Sequence, residues 1–496
     1  MKRLSCIATT LIVLTVRAGA QQVPVRLSLA EALSRVEAAS PTIGLARAGV
    51  TSAHADWLRT RSAALPQLSG SVSYTRTLAS QFSSFASSSN SDSFPKPTNC
   101  GHYLPTPSLP IAARLDSLER GLDCTANGSS LDFSNLPFGK KNNWTLGLSG
   151  SQSVLDFKMS GQLAAARAGE ERADVELTAQ RTQAMLDVAQ AYLDVQLADR
   201  LLEIADSSLA QAQRTFEQTR LERQVGNAAE FDQLRASVAR ENQNPVVILR
   251  RAQRDQALLR LRQLLDYPVS APLVLVTPLG DTTTTVPVPL APQFAGLADT
   301  MIADRAPVRG AAFGLQASDA TVSAAKAARL PTLSLSSAYA NIAYPSQVFS
   351  IDKFLTDWTV SLRLDVPIFN GGRTQAGVLA AEAGREVSAM RVKQAQQQAQ
   401  RDVQDVALLL TSAQAVWEAV KGTVAQATRA YSIAELRYRN GLSTLTEVGE
   451  ARVQLGQAQA NRAQAVRDFQ VARIRAALLR DLPFGATGSV GAPGNQ

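Results

Sequence analysis

The sequence repeats one ordered set of motifs twice, and this internal duplication constrains the fold more than any other feature. Each copy has the predicted order helix, short strand, loop, short strand, very long helix, tight turn and long helix. The matching segments are 65–69 with 330–334, 144–156 with 358–370, and 225–236 with 440–451. We therefore expect two structural repeats, 21–266 and 295–484, joined by a Pro- and Thr-rich linker over 267–294.

Two stretches without proline, 159–223 and 374–439, predict helices that are too long for an ordinary domain core. Each stretch has about 65 residues, which corresponds to about 100 Å of helix at ~1.5 Å per residue. Apolar side chains in the first stretch recur at 3-4-3 spacing, as in a coiled-coil seam. The helices should therefore pack lengthwise against other long helices, in hairpins that span about 158–266 and 372–481.

Glycines mark the predicted turns of both hairpins. Gly226 and Gly441 follow the long stretches and are typical of residues that end a helix. Three Ser/Thr/Asn-x-x-Glu patterns then predict capping boxes that start a helix: Ser28 with Glu31, Asn227 with Glu230, and Thr444 with Glu447. The returning helices should cover about 228–266 and 443–481.

Four short segments alternate apolar and polar residues with the period of two that a strand with one apolar face requires. They lie at about 67–79, 143–155, 332–344 and 356–369. In the last segment apolar residues alternate from Trp358 to Val366. The polar residues between them are Thr359, Ser361, Arg363 and Asp365.

Strands of about 10 residues match the span of a membrane β-strand. Trp144 and Trp358 begin their strands at equivalent places, as an aromatic belt at a membrane interface would require. A soluble sandwich with its apolar face packed inward remains open from the pattern alone. Four strands cannot close a membrane barrel, and lipid does not tolerate open sheet edges, so in a membrane several chains must share one barrel.

The remaining segments have simpler interpretations. Residues 1–20 are interpreted as a secretory signal peptide, with two basic residues, a short apolar run and a small-x-small cleavage site. The first repeat carries an insertion within about 80–140, which is Ser-, Pro- and Asn-rich and predicts a long exposed loop. It contains Cys100 and Cys124, which in an exported chain predict a disulfide, with two free thiols as the alternative. Residues 485–496 should form a flexible tail.

Composition argues against several functional classes. The chain has two histidines and three cysteines, too few to favour a His/Cys metal centre or histidine-based acid–base catalysis. Nucleophile, metalloprotease and phosphate-loop motifs are not found, so we predict no enzyme activity and no cofactor. The net charge of +8 is scattered among acids along the helices, which does not indicate nucleic-acid binding.

Several motifs occur in an order that resembles the outer membrane efflux protein family, the TolC-like channels of Gram-negative bacteria. They are Leu330-Pro331 before a strand, the segment 366–373 (Val-Pro-Ile-Phe-Asn-Gly-Gly-Arg), and the segment 437–441 (Arg-Tyr-Arg-Asn-Gly) followed by Glu447-Val448. The resemblance covers about 27–484. It implies a mainly α fold with a small β part, in which a homotrimer shares a twelve-stranded transmembrane β-barrel and a long periplasmic α-helical barrel.

The resemblance also implies a function. Such a chain is an exit channel in the outer membrane lipid, extends into the periplasm, and works with a periplasmic adaptor protein and an inner-membrane transporter. Adaptor contact is expected at the turns of Gly226 and Gly441. The polar strand residues of 359–365 would line water and the two tryptophans would mark the membrane belt.

The family's periplasmic constriction maps onto four residues of this chain. Glu447 and Glu450 fall on the acidic-ring positions, while Tyr438 and Asp232 fall on the positions that tie neighbouring hairpins together. Ser443 stands where some members carry a basic tie residue. Glu447 could instead be only a capping residue, and Glu450 only part of a solvated face. The alternative for the whole chain is a secreted or surface trimeric coiled coil with a structural or adhesive role. The cargo is not predicted.

Overall fold

The computed structural model describes residues 25–79, 108–128, 141–226, 228–279, 298–345, 348 and 353–485. In chain order the helices are α1 (Leu29–Ala39), α2 (Pro41–Ser62), α3 (Ile111–Gly128), α4 (Phe157–Gln224), α5 (Glu230–Glu241), α6 (Gln243–Leu264), α7 (Ala298–Asp304), α8 (Ala306–Ala327), α9 (Arg373–Val420), α10 (Thr423–Arg439) and α11 (Leu445–Leu478). The strands are β1 (Val25–Leu27), β2 (Gln67–Arg76), β3 (Asn142–Leu155), β4 (Leu273–Leu275), β5 (Thr332–Ala343) and β6 (Leu355–Asp365). The prediction of a mainly α fold with a small β part is confirmed.

The chain divides into two compact units, and each unit draws matching parts from both sequence repeats. The sheet unit comprises Arg59–Ser160 and Lys326–Thr374. The helical unit comprises Met1–Leu58, Gly161–Ala325 and Gln375–Gln496.

The sheet unit contains one antiparallel sheet in the order β2-β3-β5-β6. The central pairing, β3 with β5, joins a strand of the first repeat to a strand of the second. Strands β2 and β6 each pair on one side only within the described residues, so this sheet has two open edges.

The pairing register sorts side chains into two faces across all four strands. One row runs Ser69, Ser149, Ala338, Thr359, and the serines of the first pair share a hydrogen bond of 2.7 Å between hydroxyls. On the other face Leu362 lies opposite Leu335. A bulge between Ser153 and Leu155 shifts the register and places Leu155 opposite Leu333, whereas Gln152 lies opposite Leu335.

Both faces of β6 are exposed along its whole length, with Leu362 67% and Trp358 71% accessible. A soluble sandwich would bury one of these faces against a second layer. Among the described residues no such layer covers β6, so the inward-packed sandwich is wrong for this strand. The strand ends at Asp365 rather than near 369, because Pro367 follows and cannot donate a ladder hydrogen bond.

The largest apolar core of the helical unit surrounds Tyr192 of α4, which is fully buried. Its hydroxyl donates to the Leu27 carbonyl at 2.9 Å and accepts from the Thr277 amide at 3.2 Å. These bonds fix both strands of a small parallel sheet, β1 with β4, that the sequence did not predict. Strand β4 lies in the first part of the linker over 267–294.

A buried ion pair holds the start of α8 to α9 and to the end of α11. Arg305 is 1% exposed and Asp402 is 0% exposed, with 2.6 Å between Nη1 and Oδ2. The same guanidinium donates to the carbonyls of Leu479 at 3.2 Å and Leu482 at 3.1 Å, and Gln398 donates to the second Asp402 oxygen at 2.9 Å. Every charged atom of this Arg305 cluster therefore has a hydrogen-bond partner of suitable geometry.

Two expectations about the long helices need correction. The stretch 374–439 forms two helices, α9 and α10, separated at Lys421 and Gly422, instead of one continuous helix. Glycine is the weakest helix former after proline, which explains why a proline-free stretch can still break there. The returning segment 228–266 is likewise divided at Asn242 into α5 and α6.

The insertion and the helix caps also differ from expectation in part. The predicted long loop over 80–140 contains helix α3, because residues 111–122 carry an amphipathic pattern inside Ser- and Pro-rich flanks. The capping box of Ser28 and Glu31 is confirmed, and Thr444 accepts from the Glu447 amide at 3.3 Å. Asn227, for which the third cap was predicted, lies outside the described residues; helix α5 itself begins after Ala229, which makes no side-chain cap.

Helices α4 and α8 cross so closely at Gly161 that a methyl group does not fit. A Cβ atom there would lie 2.6 Å from the Ala320 carbonyl oxygen and 2.8 Å from the Ala324 Cβ. Gly161→Ala is expected to lower the free energy of unfolding by about 1–3 kcal/mol through overpacking. Thermal unfolding of the detergent-solubilised protein followed by circular dichroism measures this.

Gly169 in the same helix is the matched control, because a Cβ atom there meets nothing within 4 Å. Gly169→Ala should raise stability by about 0.5–1 kcal/mol through helix propensity. Equal midpoints for the two variants would contradict the close crossing.

Candidate functional site at the helical turns

Left-handed glycines form both hairpin turns of the helical unit. Gly226 has φ +82° and Gly441 has φ +69°, a region that other residues adopt at a cost. At the second turn the Gly441 amide donates to the Tyr438 carbonyl at 2.9 Å, and the Leu442 amide donates to the Arg437 carbonyl at 2.8 Å. This six-to-one bond closes a Schellman-type end of helix α10.

Side chains stabilise each turn locally. Arg223 at the end of α4 donates to Gln233 at 2.7 Å and lies 3.3 Å from the Glu230 carboxylate, so it bridges α4 and α5. At the other turn the Ser443 hydroxyl donates to the Ala434 carbonyl at 3.3 Å. Ser443 therefore stabilises its own turn.

Tyr438 and Asp232 lie within electrostatic range of each other, although they belong to different hairpins. Burial raises the pKa of the Tyr438 phenol, and the carboxylates of Glu222 and Asp232 raise it further, while a hydrogen bond with Thr219 opposes the shift. The phenol therefore stays protonated and neutral near pH 7. Thr219 itself is fully buried in α4. The contact of the Tyr438 phenol with Thr219 thus joins the second hairpin to the first, close to the two carboxylates.

Sequence reasoning missed Thr219 and Glu222. Their positions in α4 match no motif, and only the packing of α10 on α4 shows that they surround the phenol.

Glu447 and Glu450 lie in the first turns of α11, three residues apart and therefore on one side of the helix. Both side chains are exposed, and within the described part of the chain neither carboxylate has an ion-pair partner. The Glu447 amide is bound by Thr444, which accounts for the N-terminal capping of α11. The Glu447 carboxylate remains available for another role.

Glu450 borders a groove of about 500 Å³ between the two hairpins. Two arginines, Arg235 of α5 and Arg452 of α11, line the same groove with the Tyr431 ring of α10. Burial lowers the pKa of Arg452 and raises that of Tyr431. The groove therefore combines one carboxylate with two cationic groups.

The sheet unit holds the other predicted site residues. Register places Ser361 opposite Ser336, Arg363 opposite Ser334, and Asp365 opposite Thr332. With the Thr359 row, these pairs form one polar face. Along β6 this face carries Asp357 near the start of the strand, the hydroxyl groups of Thr359 and Ser361, and the charges of Arg363 and Asp365 near its end.

The two tryptophans occupy different rows of the sheet. Trp144 pairs with Ala343, whereas Trp358 pairs with Tyr339, four residues along β5. The Trp144 indole donates to the Val348 carbonyl at 2.8 Å and packs on Tyr74 with 5.0 Å between ring centroids. The Trp358 indole donates to the Ser337 hydroxyl at 3.1 Å. Each indole N–H therefore has a hydrogen-bond acceptor, and each ring has a tyrosine beside it, Tyr74 for Trp144 and Tyr339 for Trp358.

The structure does not describe most of the residues in three predicted features. These are the disulfide, the signal peptide and the C-terminal tail. Cys100 and residues 1–20 lie outside the described residues, and only the backbone of Cys124, in α3, is described. Within the described ranges no group of three or more His, Cys, Asp or Glu side chains could hold a metal ion. Among the helices that the structure describes, none combines the length and the apolar character that crossing a lipid bilayer requires.

The amino-acid sequence matches a known protein family and several efflux proteins. The family described as outer membrane efflux protein matches residues 121–266 and 297–479. The Cation efflux system protein CusC of Escherichia coli (strain K12) is 28% identical over 268 residues, which is 53% of this chain and 56% of CusC. The Solvent efflux pump outer membrane protein SrpC of Pseudomonas putida is 26% identical over 280 residues, which is 55% of this chain and 57% of SrpC. The alignment thus spans little more than half of these relatives, which are named for different cargo.

Solved structures share the fold over nearly the whole chain. A crystal structure of CusC superposes with a TM-score of 0.67 at 21% identity and covers 93% of this chain and 95% of that one. The open state of the MtrE outer membrane channel of Neisseria gonorrhoeae gives 0.67 at 18% identity, over 92% and 89% of the two chains.

Proposed function

The chain belongs to the outer membrane efflux protein family, and from this premise we propose that three copies form an exit channel through the outer membrane of a Gram-negative bacterium. The observation that carries the proposal is the four-stranded sheet with two open edges and two exposed faces. Three copies joined edge to edge would give twelve strands, enough to close a barrel. Closure would satisfy the edge hydrogen bonds that lipid cannot satisfy.

The two faces of the sheet then acquire distinct roles. The face of Leu362 and Val360 would contact lipid, and the face of Thr359, Ser361, Arg363 and Asp365 would line water. Trp144 and Trp358 would contribute to interfacial aromatic belts, where an indole keeps its N–H hydrogen-bonded and its ring in the apolar zone. Hydroxyl groups suit a lumen because they bind water and do not select strongly for one charge.

The helical turns would form the periplasmic constriction. Three copies of the Glu447 and Glu450 pair around one axis would attract cations. Tyr438 and Asp232 would hold adjacent hairpins in the closed arrangement. The proximity of the two residues within one chain supports this assignment.

The same turns would meet a periplasmic adaptor protein, which links the channel to an inner-membrane transporter. Val225, Phe231 and Leu442 are exposed by 71%, 68% and 69% near the left-handed glycines. Apolar side chains at such positions favour a protein partner over water. In this role the chain moves its cargo without changing it chemically, so no catalytic residue is needed.

A secreted trimeric coiled coil would need the helices but not the sheet. Exposed leucine and valine along one face of β6 would make such a protein prone to aggregate in water. The family and the sheet therefore favour the channel.

The function is tested with the purified chain lacking residues 1–20. In detergent it should have three times the mass of one chain, and in planar lipid bilayers it should produce discrete conductance steps. A monomer that stays dissolved without detergent would contradict the proposal.

Charge removal at the constriction should weaken block by divalent cations. Glu447→Gln together with Glu450→Gln removes both carboxylates from each copy, and we expect the half-blocking concentration to rise by roughly tenfold, equivalent to about 1.4 kcal/mol. Single-channel recording with divalent cations on the helical side measures this.

Glu418→Gln is the control, since that carboxylate is paired with Lys421 at 2.8 Å on α9. Unchanged block in the double variant would refute the constriction assignment and leave the channel itself intact.

A further inference from the structure

Helix α3 within the first insertion carries an exposed apolar stripe. Ile111, Leu115 and Leu118 are exposed by 74%, 56% and 41%, and Leu122 continues the stripe at 60%. The steps of four, three and four residues alternate as successive d and a positions of a heptad do, a pattern whose period is 3.5. The stripe thus has the geometry of a seam between helices.

The charges beside the seam distinguish between possible partners. With Leu115 and Leu122 at heptad position a and Leu118 at position d, Arg114 takes position g and Glu119 takes position e. A parallel, in-register partner of the same sequence would bring each Arg114 to the Glu119 of its neighbour. An antiparallel partner would instead oppose like charges.

The rest of the helix fits a protein partner better than a lipid surface. Asp116 and Arg120 form an ion pair on the outer side of the helix, so the polar face is balanced in charge. Helices that lie on membranes carry an excess of Lys and Arg on that face. The base of the insertion is closed by the Thr77 amide donating to the Lys141 carbonyl at 2.8 Å, so the insertion leaves the sheet as a hairpin at one place.

We infer that α3 binds the same helix of neighbouring copies of this chain, in a parallel coiled coil with Arg114 paired to Glu119 across each interface. Rotational symmetry about an axis that runs along the helices brings identical helices together in parallel and in register. The inference rests on the proposed association of copies and adds a second contact between them, separate from the shared barrel. The proposed interface consists of an Ile/Leu seam flanked by one salt bridge that repeats between each pair of neighbouring copies.

Cysteine cross-linking of the full chain in detergent tests the seam. In a background with Cys100→Ser and Cys124→Ser, either Leu115→Cys or Leu118→Cys should give disulfide-linked dimers under mild oxidation. Ala113→Cys lies on the opposite side of the same helix and is the matched control that should stay monomeric on a denaturing gel. Cross-linking at 113 equal to that at 115 and 118 would overturn the inference.

Charge reversal tests the register in the unaltered cysteine background. Glu119→Arg should weaken the association of copies about twofold to fivefold per salt bridge, seen as dissociation at lower temperature on mildly denaturing gels. Adding Arg114→Glu should restore the original behaviour, because the pair is then exchanged. No rescue would exclude the parallel register.

The outcomes separate this inference from the channel. Copies that associate and conduct while positions 115 and 118 fail to cross-link would reject the seam alone. If the thiol of the Leu115→Cys variant is then also shielded from an aqueous maleimide, another segment of the same chain covers the stripe. Loss of all association in the unaltered chain would reject the channel as well.

Discussion

Asp402→Ala is expected to destabilise the helical unit by about 3–5 kcal/mol, because it leaves the Arg305 guanidinium buried without its counter-charge. Arg305 is 1% exposed, so water cannot replace the lost carboxylate without opening the surrounding helices. Its two remaining bonds, to the carbonyls of Leu479 and Leu482, involve acceptors that carry only partial negative charge. We therefore expect a lower denaturant midpoint for the helical circular-dichroism signal.

Two further variants distinguish the effect of losing the Arg305–Asp402 ion pair from the effect of losing any carboxylate in α9. Asp405→Ala removes an exposed acid one turn away in α9, and its effect should stay within about 0.5 kcal/mol. Arg305→Met combined with Asp402→Leu should recover much of the stability, since an apolar pair of similar volume avoids the cost of burying charges. An Asp402→Ala midpoint equal to that of Asp405→Ala would show that the ion pair does not hold these helices together.

The residues around Arg305 also hold the segment that follows α11. The Ala306 amide donates to the Arg480 carbonyl at 2.9 Å, and Arg309 lies 2.6 Å from the Asp481 carboxylate. With the Arg305 bonds, residues 479–482 are attached to the start of α8 at several points. Loss of Asp402 should thus expose this segment to proteases before the rest of the unit unfolds.

The sequence predicted best those helices, strands and turns that depend on a pattern of neighbouring residues. Absence of proline predicted the 68-residue helix α4 within two residues at its start, and period-two alternation located all four strands of the main sheet. The left-handed turns at Gly226 and Gly441 follow from glycine conformation alone. These signals lie within a few neighbouring residues, so no knowledge of the packing is required.

What escaped prediction depends on contacts between distant residues. Arg305 and Asp402 are 97 positions apart and share no motif. The same holds for Tyr192 with Leu27, which are 165 positions apart. The break at Gly422 had a local signal, but a single glycine inside a helical pattern is often tolerated, and the sequence could not show that this one interrupts the helix.

The sheet faces were predictable because register follows from alternation. The pairing of β5 with β6, in which Ser361 lies opposite Ser336 and Leu362 opposite Leu335, extends that alternation across the sheet. A one-residue slip would exchange the two faces completely. The proposed membrane contact can therefore be tested at two adjacent residues of one strand.

Leu362→Arg should prevent insertion into lipid, whereas Ser361→Arg should permit it. A cation on the lipid face of a membrane strand costs about 2–4 kcal/mol near the bilayer centre, and three copies would carry it at once. Ser361 belongs to the polar face, where a guanidinium stays in water. Insertion of detergent-solubilised protein into liposomes, followed by flotation and protease protection, measures the difference.

The second variant also reports on the lumen. Three added cations on the polar face, beside the existing Arg363, should shift the ion selectivity of the conductance toward anions. Equal insertion of both variants would mean that the Leu362 face does not meet lipid, and unchanged selectivity in Ser361→Arg would place that residue away from the conducting path. Failure of Leu362→Arg to insert, together with insertion of Ser361→Arg, would be explained only by a membrane strand with one face toward lipid and the other toward water.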